Sequence, residues 1–579
     1  MAPTADNERA TERAGCRARP RGPVVMFVGA VAACICAAVA IAYLPALGFP
    51  FCNLDDHNYI AGNPTVLGGL TAAGIARAFR VDLWLYHPLT LVSLMADVDI
   101  AAAIERLTGT SGVDRATLRA VCRIHNVVLH LVNTGLVAAF AARLLGWRQG
   151  LAVAALFSLH PLRVEAIVWI CERKELLAAA FGLIAVLAYL RYTTGRNGRW
   201  YAAAVVAAAA SLLAKPTFVT LPGLLLLLDV WPAGRIAERA NGGRFSVRDF
   251  QVGRCLVEKV PFVLLSAACT AVTLFSIGEG LVNVERVDLG HRVATAVIGY
   301  ATYPLLDLWP WPLAILYPLK QAWSLPRVWG SAAAVAAVTA AAIAGRGRLP
   351  AASFGWWWYL LASLPTSGLI QNGQQAYADR FHYVPGIGLA IAAVAIAAAV
   401  MRGLRQPRGV GIAACALAAG GLWAVTVAQV QVWRDGETLW RRAVEAVPNN
   451  WYALDQHARQ LAKRGRHSEA AACWEQCYAG LAHMLRYACE LAANAHAAGD
   501  TEAAGRWRAA AISEPRRRPE DCLAIARLEA LLGNHDEAVF AVRQGLAFAP
   551  DDGALRAEFE RLTKGDGRPV AGSAKERLP

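Results

Sequence analysis

Two adjacent carboxylates, Asp55 and Asp56, stand in Leu54-Asp55-Asp56-His57, directly after the first long apolar stretch of the chain. A carboxylate at a membrane surface can accept the proton of an attacking hydroxyl, with its neighbour or His57 setting its charge state. The pair can instead hold a divalent cation through oxygen ligands. Plain solvation of a loop is the third reading. Asp55 and Asp56 are the metal ligands to consider if there is a metal at all, because no Cys/His spacing points to zinc.

Other polar groups cluster where apolar runs end. His87 follows the acid pair in the same inter-span region. His160-Pro161-Leu162-Arg163-Val164-Glu165 and Trp169-Ile170-Cys171-Glu172-Arg173-Lys174-Glu175 crowd charge at the edge of a span, where an ionisable side chain is costly and therefore a functional candidate. Glu165 lies about two turns before Arg173 and would share its helix face if the helix continues. A structural ion pair, such as Glu172 with Arg163, is the competing account. Lys215, in Ala214-Lys215-Pro216-Thr217, either snorkels or meets a phosphate. Asp379, Arg380 and His382 occupy another membrane exit, where Arg380 can clamp a lipid phosphate or pair with Asp379 to fix the loop. His125, His130, Asn126 and Asn133 suit hydrogen bonds between helices.

The elements positioning these groups are membrane helices. With 579 residues, 56% hydrophobic and 17% charged, the chain is too long and apolar for soluble cores. Runs of roughly 20 apolar residues recur from Val24 to Val430. Spans are expected near 24–46, 121–142, 150–170, 176–193, 200–214, 217–230, 260–278, 327–345, 352–371, 384–401 and 409–431, about eleven in all. Segments Val293–Leu308 and Leu83–Ile100 read as re-entrant or surface helices. The net charge of +14 is dispersed among short loops, which speaks for cytoplasmic faces and against nucleic acid. With a cytoplasmic N-terminus and a retained first helix, the acid pair, the Glu165–Glu175 region, Lys215, the Asp379–Tyr383 region and the tail share the non-cytoplasmic side.

The tail repeats. Gly465, Gly499 and Gly533 are 34 residues apart, as are Ala470, Ala504 and Ala538. That period, with a small residue where two helices cross, is the tetratricopeptide pattern. Trp474 suits its large position, whereas Arg508 and Val542 fill the equivalents. The units form either a structural cap or a groove for a peptide. Cys473, Cys477, Cys489 and Cys522 lie here and could pair in an oxidising compartment. The expected organisation is a cytoplasmic tail over 1–23, a multispanning body over 24–431 with a first external loop about 47–120, repeats over 432–560 and a disordered tail over 561–579. The fold class is all-α: a polytopic helical bundle followed by an α-solenoid.

In order, LDDHNYIAGNP, YHPLTLVSLMADVD, HNVVLHLVNT, FSLHPLRVEAIVWICERKELL, AKPTFVTLPGLLLLLDVWP, VEKVPF, GLIQNGQQAYADRFHYVPGIGL and WRDGETLW resemble the transmembrane and tetratricopeptide-repeat family of protein O-mannosyltransferases, particularly its bacterial relatives. The resemblance covers about residues 50–550. It implies a C-type glycosyltransferase that moves mannose or another hexose from a polyprenyl-phosphate donor to Ser or Thr of a protein, on the periplasmic side of a bacterial inner membrane. Asp55 and Asp56 match the family's first acidic motif, as base or orienting group, and Asp56 is the preferred base. Glu165, Arg173 and Lys174 match the second motif, and Glu165 joins the acid pair as an expected catalytic residue. Arg173, Lys174, Lys215 and Arg380 are the expected phosphate ligands, with His87, Asp379 and His382 also facing substrate. Lys174-Glu175 stands where relatives have Lys-Asp, and Phe381-His382-Tyr383 where Tyr-x-Tyr is usual. Partners are the lipid-linked sugar, membrane lipids and a protein acceptor in the repeat groove. No cofactor is required by the sequence, and a divalent cation is left open. An envelope glycan or lipid acceptor, and a non-enzymatic repeat scaffold, are the alternatives.

Overall fold

The computed structural model describes residues 22–52, 54–81, 86–109, 114–236, 247–277, 287–320, 322–370, 373, 375–480, 484–516 and 518–563. The expected N-terminal tail therefore lies outside the described residues up to 21, and the expected C-terminal tail from 564 onward. Almost everything described is helical, the strands being only Tyr317–Pro318 and Gln375–Tyr377. The chain divides into two compact units, residues 1–311 with 319–431 and residues 312–318 with 432–579.

In the first unit seven helices among the described residues are long and apolar enough to cross a bilayer: Met26–Gly48, Arg115–Leu145, Ile170–Gly195, Val252–Ser276, Leu325–Gly345, Pro385–Gly403 and Arg408–Val432. Each coincides with an expected span. The other four expected spans are broken or short. The 150–170 segment is a pair, Trp147–Ser158 and Pro161–Val168, bent by 64°. The 200–214 and 217–230 segments lie within the short apolar helices Gly198–Ala214 and Pro216–Val230. The 352–371 segment yields the helix Pro350–Ser363. Proline explains most of these interruptions: Pro161 and Pro216 start new turns at positions where an amide donor is missing. The expected re-entrant segment forms the helix Leu289–Leu308, which contains Pro304. Of the segment Leu83–Ile100, residues 83–85 lie outside the described residues and the rest belongs to the helix Pro88–Thr108.

Small residues let these helices approach closely. Gly355 and Gly388 face each other's backbone carbonyls, leaving no room for a Cβ on either. Asn126 donates to the Ile167 carbonyl at 3.0 Å, Asn133 to that of Leu176 at 3.0 Å, and His130 pairs with the Tyr383 hydroxyl at 2.7 Å. Polar side chains inside the apolar helix Arg115–Leu145 thus bond neighbouring backbone, Asn126 holding a carbonyl at the end of Val164–Val168 and Asn133 one within Arg173–Gly195.

The second unit is a run of helix pairs from Gly436–Ala446 to Gly553–Thr563, the last ending beyond the expected repeat boundary. Gly465, Gly499 and Gly533 adopt φ of 76°, 80° and 83°, the left-handed geometry that stops one helix and starts its partner. Ala470, Ala504 and Ala538 are buried at the crossings. Helices end at Ala446, Ser513 and Phe548, just ahead of Pro448, Pro515 and Pro550. At the large position Trp474 bonds Asp455 at 2.9 Å, whereas Arg508 meets Glu529 at 2.9 Å, an ion pair in place of aromatic packing. Cys473, Cys477, Cys489 and Cys522 are free thiols.

Candidate active site

Asp56 opens a short helical turn, His57–Ala61, and is fully buried. One carboxylate oxygen accepts the Cys52 amide at 2.9 Å and the other the Cys171 amide at 3.2 Å. The Cys171 amide lies in the break at Ile170–Glu172, between the helices Val164–Val168 and Arg173–Gly195. Asp56 therefore ties the first loop to the second through backbone donors. Burial pushes its pKa up to about 6, while the two amides and Arg123 pull the other way. Arg123 reinforces the tie from the helix Arg115–Leu145, donating to the Phe49 and Pro50 carbonyls on one side and to Val168 on the other.

Asp55 differs. It is half-buried, and its carboxylate has no hydrogen-bond or ion-pair partner among the described residues. It interacts electrostatically with Lys174 and Arg380. His57 is exposed and bonds neither aspartate.

Beside Asp55 lies a buried group of acids and cations. Lys174 meets Glu172 at 3.1 Å, and Lys215 meets Glu172 at 3.0 Å and Glu175 at 2.8 Å. The guanidinium of Arg380 pairs with Glu165, donates to Gln375 at 2.9 Å and reaches Glu172 at 3.5 Å. The Arg380 backbone amide adds a bond to Glu165 at 3.1 Å, so Glu165 fixes the turn Asp379–His382. Aromatic faces complete the walls: Trp169 has Arg380 at 5.1 Å and Lys174 at 5.9 Å, and Lys174 stands 4.7 Å from the Tyr59 ring. Tyr59 bonds His87 at 2.8 Å. Burial, with Lys174 and Lys215 nearby, lowers the His87 pKa to about 3, so its imidazole is neutral.

Asp55, Asp56, Glu165, His87, Lys174, Lys215 and Arg380 thus come together. Arg173 does not join them. Fully buried, it pairs with Asp97 at 2.7 Å and contacts Ser93 at 2.9 Å, His125 at 3.1 Å and the Cys122 carbonyl at 2.7 Å. Successive helical residues diverge by about 100°, which turns Arg173 away as Lys174 turns in. The Glu172–Arg163 pair weighed from sequence is absent too: Arg163 donates to the Phe157 and His382 carbonyls.

His382 faces elsewhere as well. Its Nε2 bonds Asp307 at 2.9 Å, its ring stacks on Tyr303 at 4.7 Å, and its Nδ1 is buried with no partner. Burial holds it below the ordinary histidine range despite Asp307. The charge of Asp379 acts on Arg163 and Tyr303. Sequence reasoning missed Arg123 and Asp307 and gave Glu172 only a structural role; the available signal for Arg123 was an arginine inside an apolar run. Among the described residues no three His, Cys, Asp or Glu side chains are placed to hold a metal ion.

This arrangement defines a helical membrane protein with an unpaired acid beside paired buried cations. No family model matches the chain. It is 32% identical over 214 residues to protein O-mannosyl-transferase Tmtc1 of Drosophila melanogaster, covering 34% of this chain and 23% of that protein. Tmtc2 of the same organism is 31% identical over 216 residues, covering 34% and 21%. Human protein O-mannosyl-transferase TMTC1 is 25% identical over 265 residues, covering 42% and 27%. The chain is thus similar to these protein O-mannosyl-transferases over 34% to 42% of its own length, and the match spans between 21% and 27% of theirs.

Proposed function

We propose that the protein is a membrane glycosyltransferase moving mannose or another hexose from a polyprenyl-phosphate donor to Ser or Thr of protein acceptors. The observation that carries this reading is the free Asp55 carboxylate beside Lys174 and Arg380, which share Glu172 with Lys215. Asp55, rather than the preferred Asp56, takes the base role, because both Asp56 oxygens are engaged by backbone amides. Asp55 accepts the hydroxyl proton as the oxygen forms a bond to the anomeric carbon, and the bond from that carbon to the phosphate oxygen breaks. Polyprenyl phosphate leaves as an anion, so cations rather than a general acid are needed on that side. The scheme balances with the lipid-linked sugar and the acceptor hydroxyl alone.

Distant kinship with protein O-mannosyl-transferases supports a protein acceptor. We assign the helical repeats to the tetratricopeptide class, with the acceptor lying in their groove. The site belongs on the periplasmic face of a bacterial inner membrane, where a lipid-linked donor and secreted acceptors meet. Purified protein in nanodiscs, given a panel of polyprenyl-phosphate hexoses and unfolded secreted proteins, should release polyprenyl phosphate and yield glycosylated Ser or Thr. No release from any donor would sink the enzymatic reading. Sugar appearing on glycan or lipid alone would move the acceptor to the envelope.

A further inference from the structure

We infer that Glu172 is a positioning residue that gathers three cations into a receptor for a phosphate monoester on a polyprenyl chain; this rests on the transferase reading above. One buried carboxylate holds Lys174 at 3.1 Å, Lys215 at 3.0 Å and Arg380 at 3.5 Å. Three cations brought by three separate segments repel one another unless an anion lies among them. Glu172 supplies that anion from behind: its side chain is 1% exposed, against 8% for Lys174, 13% for Lys215 and 9% for Arg380. Each cation is therefore more exposed than the carboxylate that holds it.

Their donors are not exhausted. An ammonium carries three N–H groups and a guanidinium five. Lys174 uses one on Glu172 and a weak one on the Cys171 sulfur, 3.8 Å away. Arg380 divides its donors among Glu165, Gln375 and Glu172. The sugar-bearing donor is a phosphodiester with two free oxygens, whereas the polyprenyl phosphate that leaves is a monoester with three to share among three such cations, so the receptor gains its full complement of partners as the bond to the sugar breaks. Glu175, held by Lys215 and by the Thr217 hydroxyl at 3.1 Å, buttresses the group without reaching Lys174 or Arg380.

The test is equilibrium binding of undecaprenyl phosphate to the full chain in nanodiscs, which needs no sugar transfer and so fails or succeeds separately from the enzymatic reading. Glu172→Gln should weaken binding about tenfold or more. Glu172→Asp should recover most of it and melt nearer to wild type than Glu172→Gln, which leaves the buried cations without their shared anion. Should Glu172→Gln not fold, Lys215→Met serves, and the same loss is expected. Millimolar inorganic phosphate should compete and phosphatidylglycerol should not. Unchanged affinity in Glu172→Gln (or in Lys215→Met where that variant stands in), no binding by wild type, or equal competition by phosphatidylglycerol overturns the inference.

Discussion

Asp55 and Asp56 are neighbours in sequence and opposites in environment. Asp56 is sealed, with a backbone amide on each oxygen, while Asp55 is half-buried and unpartnered beside Lys174 and Arg380. One carboxylate is committed to the backbone and the other is left free.

Asp55→Asn should keep the fold and lose the reaction. No bond is broken by the change, so the melting temperature should stay within a degree or two, while kcat/KM for sugar transfer falls by about 10²–10⁴. Release of polyprenyl phosphate from a radiolabelled donor measures it; full activity in this variant would refute the base assignment.

Asp56 should instead reveal itself in stability. Asp56→Ala strands two buried amides, at about 1–3 kcal/mol each. The pH dependence has a definite sign. Burial raises the folded pKa from 3.8 to about 6, so the folded protein holds this proton more tightly than the unfolded chain. The group's contribution is then full below the unfolded value and is lost as pH rises through about 6, on the order of 3 kcal/mol in total. Thermal melts between about pH 4 and about pH 7 should show that slope in wild type and a flatter one in Asp56→Asn.

The Asp97–Arg173 pair predicts a non-additive series. Removing either partner takes the counter-ion from a buried charge, Asp97 keeping only His125 at 2.7 Å, and should cost about 3–5 kcal/mol, whereas Asp97→Leu with Arg173→Met should cost far less than the sum. Denaturation of the detergent-solubilised protein measures all three. Additive losses would mean that the two side chains do not act as a pair.

In the repeat unit, two glycines should respond oppositely to alanine. Gly499, at φ 80°, should lose about 1–2 kcal/mol on replacement. Gly505 sits in the exposed interior of the helix Thr501–Ser513 with nothing near its missing Cβ, so alanine there should gain up to about 1 kcal/mol. Chemical denaturation followed by tail tryptophan fluorescence distinguishes them.

Much of the fold was legible because apolar runs and glycine period are one-dimensional signals. Seven expected spans match helices of spanning length, and Gly465, Gly499 and Gly533 stand where a helix must stop. The site was legible only as a list. That Lys174 enters it and Arg173 leaves depends on the rotation set by the break at Ile170–Glu172, which no composition reveals. The preference for Asp56 failed to foresee Asp55 as the free acid because its competitors are backbone amides, present at every position. Asp307 was hidden in the helix Leu289–Leu308, whose apolar run reads equally well as lipid-facing.

The grip of Asp56 on Cys52 and Cys171 has an evolutionary corollary. Since both contacts end on main-chain nitrogen, a change of side chain at position 52 or 171 leaves the clasp itself intact as long as the new residue is not proline. In homologues, position 56 should then be fixed while position 52, half-buried, varies more than the fully buried position 171, and co-substitution statistics would miss the link that joins the two loops.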